Sequence, residues 1–197
     1  MAEGRVRAQR PAAMRIIGGT ARGRRIKAPK GSTIRPTADR VREALFNILP
    51  RDLSGKQVLD LFAGSGSLSL EALSRGAAAA LLVDESTEAA DLIRGNLETL
   101  GFTDRARVWT VPAGKAVNRL AGGGPAYDAI FLDPPYDGGW VNRTMALVAE
   151  AGILHAGGAA VAEHSVRERV EEKYGELVRR DRRRYGDTVL SFFELDN

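Results

Sequence analysis

A chain of 197 residues, 44% hydrophobic and 27% charged, fits one globular domain with a sizeable core and is no disordered segment. It has no cysteine and only two histidines, which excludes a disulfide framework, a thiolate-held iron–sulfur cluster, a cysteine zinc site and a cysteine nucleophile. The net charge of +4 conceals an asymmetry: residues 1–42 hold ten Arg and two Lys against Glu3 and Asp39, whereas the remainder holds 17 basic and 23 acidic residues. A basic arm on an acidic body points to a polyanionic partner, and its richness in Arg favours phosphate forks.

Residues 1–13 read as a flexible extension, with Met14 the expected natural start and the earlier stretch an alternative one. They contain no apolar stretch of signal-peptide type. The longest apolar run, Ala77 to Val83, is too short to span a bilayer. From Arg15, two short strands about the Gly18-Gly19 turn are expected. Thr37 is expected to cap a helix whose apolar face carries Val41, Leu45, Ile48 and Leu49. Beyond Pro50 the pattern alternates. Strands are expected at Val58–Phe62, Leu81–Val83, Val108–Val111, Ala129–Leu132 and Ala159–Ala162. Helices are expected at Leu68–Ser74, Thr87–Leu100, Ala116–Leu120 and Val141–Ala151. Leu177–Arg184 and Thr188–Leu195 are expected to pair as a hairpin.

Repeated strand–helix units with near-continuous apolar strands predict an α/β fold whose parallel sheet is covered on both faces. Ligands of such sheets lie beyond the carboxyl ends of the strands. The polar features of the body fall at those ends.

The first is Asp60-Leu-Phe-Ala-Gly64-Ser-Gly66, which follows a strand and opens a helix. Small residues there let backbone approach a ligand. Ser69 stands where a dinucleotide fingerprint has its third Gly or Ala, and the Gly-Lys-Ser/Thr of a phosphate loop is absent. Asp84, 20 residues past Gly64 at the next strand end, suits both hydroxyls of a ribose. Asp60 and Asp84 also read as turn or capping acids. A carboxylate at this mouth suits a cofactor with positive charge, such as a sulfonium bearing an amino group.

The second is Asp133-Pro134-Pro135-Tyr136, directly after Ala129–Leu132. Two prolines stop the strand and hold the neighbouring carbonyls rigidly. An acid beside fixed carbonyls can accept both N–H bonds of a planar exocyclic amine, and Tyr136 can stack on its ring. An ordinary strand-end turn accounts for one proline, and less readily for the whole tetrad. Trp140 flanks a base pocket or packs. His164 reads as a packing residue.

The glycine loop followed by Asp-Pro-Pro-Tyr resembles the Rossmann-like, S-adenosylmethionine-dependent amino-methyltransferases. Met14-Arg-Ile-Ile-Gly-Gly, Arg22-Gly-Arg and Arg35-Pro-Thr37-x-Asp39-Arg40-Val-Arg42-Glu43-Ala-Leu-Phe-Asn47 narrow this. They are similar to the bacterial 16S rRNA (guanine-N2)-methyltransferase family called methyltransferase D, from Met14 to near the C-terminus. The resemblance implies a seven-stranded, mostly parallel sheet with an antiparallel C-terminal hairpin and a small N-terminal β-hairpin extension. Residues 14–50 would form the basic hairpin and helix, and residues 51–197 the methyltransferase domain. It implies methyl transfer to one guanine N2 of 16S rRNA in an assembling small subunit. Asp133, Pro134, Pro135 and Tyr136 would position the guanine. Asp60, Phe62, Ala63, Gly64, Ser65, Gly66, Asp84, Glu85 and Ala113 would surround the cofactor, with Thr37 and Arg40 over its carboxylate side. Arg15, Arg22, Arg24, Arg25, Lys27, Arg35 and Arg42 would contact RNA. Val111-Pro112-Ala113-Gly114 lacks the acid that often holds the adenine amine, so backbone groups are expected there instead.

No metal is expected, and the chain is expected to be a cytoplasmic monomer away from membranes. Alternatives are DNA adenine or cytosine amino-methylation, for which the chain leaves little room for a duplex-reading domain, and methylation of a protein glutamine, which needs no such basic arm. A non-enzymatic RNA-binding protein would leave the tetrad idle. A dehydrogenase is disfavoured by Ser69.

Overall fold

The structure, a computed structural model, describes residues 14–29, 36–123, 126–136 and 138–196. The expected extension 1–13 and Arg35 lie outside them. Two short strands, β1 (Met14–Arg15) and β2 (Arg25–Ile26), pair antiparallel and precede α1 (Pro36–Ile48). The body then alternates: β3 (Gln57–Asp60), α2 (Ser67–Ser74), β4 (Ala79–Asp84), α3 (Thr87–Leu100), β5 (Ala106–Thr110), α4 (Ala113–Leu120), β6 (Tyr127–Leu132), α5 (Trp140–Ala151) and β7 (Leu154–Ser165). Three strands finish it: β8 (Lys173–Tyr174), β9 (Leu177–Tyr185) and β10 (Thr188–Leu195).

The main sheet runs β5-β4-β3-β6-β7-β10-β9-β8. The five strands from β3 to β7 are parallel, and β10, β9 and β8 are antiparallel. The sheet thus has eight strands, not the expected seven, because the two-residue β8 adds to the hairpin's outer edge. So short a strand leaves no periodic signal. Chain order reverses between β3 and β6, and this switch point opens a crevice at their carboxyl ends.

Strand residues alternate between two cores. Val58, Leu82, Phe131, Val161 and Leu190 face α1, α2, α3 and the N-terminal hairpin. Leu59, Val83, Ile130, Leu132 and Phe193 face α4 and α5. α1 begins at Pro36, so Thr37 lies inside its first turn rather than at its cap; a proline loses nothing there, where its N–H would have no partner. α1 buries Val41, Arg42, Leu45 and Phe46, and Leu49 just past its end is buried with them, while Ile48 is 40% exposed. At about 100° per residue that stripe is centred between Leu45 and Leu49, and Ile48 falls at its edge.

The N-terminal hairpin shares the first core through Ile16, Ala21 and Ile26. Its anchor is Glu71 of α2, which is wholly buried. Glu71 Oε2 accepts from Ile17 N and Oε1 from Gly18 N, each at 2.7 Å, and Oε1 also accepts from Arg75 Nε at 2.9 Å. Gly19 has φ +72°, and a Cβ there would meet Ser74 O at 1.8 Å, so only glycine lets the turn lie on α2. Among the described residues no helix is long and apolar enough to cross a membrane, and no cluster of side chains is arranged to hold a metal ion.

Candidate active site

A cavity of about 510 Å³ lies at the carboxyl ends of β3 to β6. Phe62, Gly64, Asp84, Glu85, Ala113 and the Asp133-Pro134-Pro135 turn line it, and Pro112, Gly114, Trp140 and Arg143 are also in its wall. A second cavity of about 550 Å³ sits at the opposite end, against Gln57, Ala79, Ala106 and Tyr127. That end holds none of the predicted chemistry.

The two loop glycines serve different ends. Gly64 has φ +54°, and a Cβ on it would meet nothing within 4 Å, so bare backbone faces the open cavity. Gly66 has φ +78°, and a Cβ there would press on Leu82 and Ile93 at 3.1 and 3.4 Å. Gly64 thus permits a ligand's approach, whereas Gly66 permits packing. Asp84 Oδ2 accepts from Gly64 N at 2.8 Å, and Oδ1 from Ser86 N at 2.9 Å. Each oxygen retains a lone pair, so Asp84 both braces the loop and lines the cavity.

Asp60, Ala63, Ser65 and Gly66 support the loop from behind and do not line the cavity. Asp60 is 1% exposed; its Oδ2 accepts from Ser69 Oγ at 3.1 Å, and Oδ1 is buried without a partner. Burial pushes its carboxyl up to about 7 despite the Ser69 bond. Ser69 therefore holds the loop's first acid. Ser65 is turned inward, its carbonyl accepting from Asn96 Nδ2 at 3.0 Å. Asn96 also donates to Lys27 O at 3.0 Å and accepts from Lys27 N at 2.8 Å. One buried amide thus ties the glycine loop to the end of the hairpin.

Asp133 stands at the cavity rim, open on the cavity side and crowded by protein on the others. Burial of its carboxyl, with the charges of Glu163 and Asp60 nearby, raises it well above the usual carboxylate range. Tyr136 is 40% exposed and donates its hydroxyl to Glu163 Oε1 at 3.1 Å. Burial of its phenol is the main cause pushing it up to about 12. Trp140 is 43% exposed beside the cavity, with the Arg143 guanidinium 5.5 Å above its ring. The buried His164 bonds Ser191 Oγ at 3.0 Å and packs.

The basic residues divide. Arg15, Arg22, Arg25 and Lys27 are exposed on the hairpin. Arg24 is exposed too, but its guanidinium donates to Leu100 O at 3.1 Å and to Thr99 O, where α3 ends. Arg42 is not an RNA contact: it is 4% exposed, and its Nη2 donates to Arg15 O at 2.7 Å and to Asp39 Oδ1 at 3.0 Å, joining α1 to β1. Burial lowers its guanidinium from the ordinary value, and Asp39 and Glu71 oppose this. Arg40 is exposed on α1 and does not line the cavity; Thr37 shares that helix.

A parallel sheet that reverses beside a bare-backbone glycine loop, with Asp-Pro-Pro-Tyr across the same crevice, defines a Rossmann-like methyltransferase. A family model described as "Conserved hypothetical protein 95" matches residues 14–194. The chain belongs to that family, and within it to the methyltransferase D group. It is 38% identical to "Putative rRNA methyltransferase YlbH" of Bacillus subtilis over 92% of this chain and 98% of that one. It is 42% identical to "Ribosomal RNA small subunit methyltransferase D" of Escherichia coli K12, over 72% and 69%. A solved structure titled "Putative methyltransferase yhhF from Escherichia coli" superposes with a TM-score of 0.80 at 34% identity, covering 93% and 98%.

Proposed function

We propose that the chain transfers a methyl group from S-adenosylmethionine to the exocyclic N2 of one guanine in 16S rRNA. We propose further that it acts as a cytoplasmic monomer on an assembling small subunit. The observation carrying this reading is that Asp133-Pro134-Pro135 lines the same cavity as Gly64 and Asp84. Relatives named as rRNA methyltransferases and the exposed cations of the hairpin support RNA as the substrate class.

The residues present suit the donor. Gly64 leaves space against its backbone, and Asp84 has lone pairs for two ribose hydroxyls. Phe62 and Ala113 give apolar walls for an adenine. The Asp84 and Glu85 carboxylates on the cavity wall favour a cationic ligand. When bound, S-adenosylmethionine supplies an electrophilic sulfonium methyl.

Guanine N2 is a poor nucleophile because its lone pair is delocalised into the ring. Asp133 and the Pro134 carbonyl accept its two N–H bonds, which favours a pyramidal nitrogen aimed into the cavity. Tyr136 stacks on the ring. As the new N–C bond forms and the S–C bond breaks, the nitrogen becomes acidic and Asp133 is placed to take the proton. A raised carboxyl is a better acceptor for it than an ordinary one. Positioning and charge placement supply most of the acceleration. The base must be splayed from any duplex to reach such a crevice.

The test is incubation with labelled donor and naked 16S rRNA, small subunits, DNA or protein, followed by nucleoside mapping. N2-methylguanosine in the rRNA is expected. Label in DNA, in protein or on another base atom overturns the reading.

The hairpin gives a separate prediction. Arg22→Glu, Arg25→Glu and Lys27→Glu together are expected to weaken RNA binding and flatten its salt dependence by about three in slope. Donor affinity should persist, because none of the three lines the cavity. Filter binding across a salt series, with donor titration by calorimetry, measures both.

A further inference from the structure

Three carboxylates meet at the carboxyl edge of adjacent strands: Asp60 on β3, Asp133 after β6 and Glu163 on β7. Glu163 takes no part in the chemistry assigned above. It pairs with Leu190 across the β7–β10 ladder, which turns it to the opposite sheet face from Ala162 and His164. There it accepts the Tyr136 hydroxyl at 3.1 Å, and Thr188 Oγ1 lies 3.2 Å from the same hydroxyl. The phenol is thus gripped by two strands, 27 and 52 residues further along the chain.

We infer that Glu163 is a positioning residue for methyl transfer: with Thr188 it holds the Tyr136 ring by its hydroxyl, and it places a second negative charge beside Asp133. This rests on the reading that Asp133 and Tyr136 hold the target base. The tether supplies what a stacking platform needs, a fixed ring plane at an exposed site. A free phenol there must be ordered at each binding event, at a cost in affinity. The charge acts on Asp133. The groups facing that carboxylate are Glu163 from β7, Asp60 from β3 and Tyr136 from its own loop, while Asp84, Glu85 and Arg143 line the same cavity. Of the two charges acting directly on Asp133, Glu163 is the larger influence, and it opposes ionisation. Burial raises the Glu163 carboxyl as well, so the two carboxyls titrate as a pair. Asp133 must be ionised to take the proton the amine releases, so Glu163 moves the onset of activity to higher pH.

The two roles separate by substitution in the full-length chain. Glu163→Gln keeps an oxygen acceptor for the phenol and removes the charge. The acid limb of kcat/KM for RNA is expected to move about one pH unit lower, with KM for RNA near the wild-type value. Glu163→Ala and Thr188→Ala each remove a tether and are expected to raise KM for RNA about three- to tenfold, with donor affinity unchanged. Circular dichroism and donor binding report folding independently. An unmoved acid limb in Glu163→Gln overturns the charge role. Unchanged KM in both alanine variants overturns the tether. Asp133→Asn, assayed alongside, keeps the failures apart: if it retains wild-type activity, the base-holding reading itself falls, whereas if it is inactive while the Glu163 and Thr188 variants behave as wild type, only this inference does.

Discussion

Asp133→Ala is expected to lower kcat by roughly 10²-fold or more, on the scale for losing one preorganised group of an active site. Donor affinity should hardly change, because the bare backbone of Gly64 and the Asp84 carboxylate remain. The size of the effect follows from where Asp133 stands. Its backbone is fixed by the end of β6 on one side and by two prolines on the other, so no neighbouring acid can swing into its place. Asp60 is buried behind the loop, and Glu163 is engaged by Tyr136. Asp133→Asn keeps the shape but offers one acceptor oxygen and two donors that oppose the amine, so it should be nearly as impaired. Single-turnover rates with saturating RNA, beside donor titration, decide the point; wild-type turnover in either variant removes Asp133 from the mechanism. In the wild-type enzyme the raised carboxyl carries its own signature. Activity should be low where Asp133 is protonated and should rise with pH through a midpoint above the ordinary carboxylate range.

Glu71→Ala should destabilise the fold by about 3–5 kcal/mol, the cost of breaking a buried ion pair by removing one partner. Glu71 is wholly buried, and its loss strips acceptors from two backbone N–H groups of the hairpin and from Arg75. Arg75 cannot easily leave, because its guanidinium lies 4.9 Å from the Phe46 ring centre. Glu71→Gln keeps an oxygen acceptor and should cost less. Urea melts of the three proteins measure the difference, and equal midpoints would show that the hairpin is not anchored through this carboxylate. Because Ile16, Ala21 and Ile26 share the first core, the variant should also bind RNA more weakly at temperatures where the body remains folded.

Much of this architecture was legible because its signals are local. Buried parallel strands are short apolar runs, and those from Val58, Leu81, Val108, Ala129 and Ala159 all begin in observed strands, although the runs to Phe62 and Val111 overshoot the ends of β3 and β5. Thr87–Leu100, capped by Ser86 and stopped by Gly101 at φ +75°, was readable to the residue. So were the strand-end positions of Asp84 and Asp133, because period and punctuation locate strand ends. What was not legible depends on contacts between distant residues. Arg42 sits among exposed arginines in the sequence, and only the packing of α1 on β1 reveals its burial. Glu163 and Thr188 lack a motif; they matter because β7 and β10 bring them to one phenol. Asp60 and Ser65 match a cofactor loop by spacing, yet their side chains point into the protein. Spacing along a chain does not report which side of a turn each residue faces.

Asn96 has a geometric consequence. Its one side chain is bonded to Ser65 of the donor loop and to Lys27 at the end of the basic arm. In the function proposed above, the hairpin's grip on phosphates and the site of methyl delivery are therefore clamped at a constant separation, like the two jaws of a caliper. On that proposal the nucleotide brought to Asp133 is chosen by its reach from the gripped backbone, which makes the shape of the RNA a criterion beside the identity of a base.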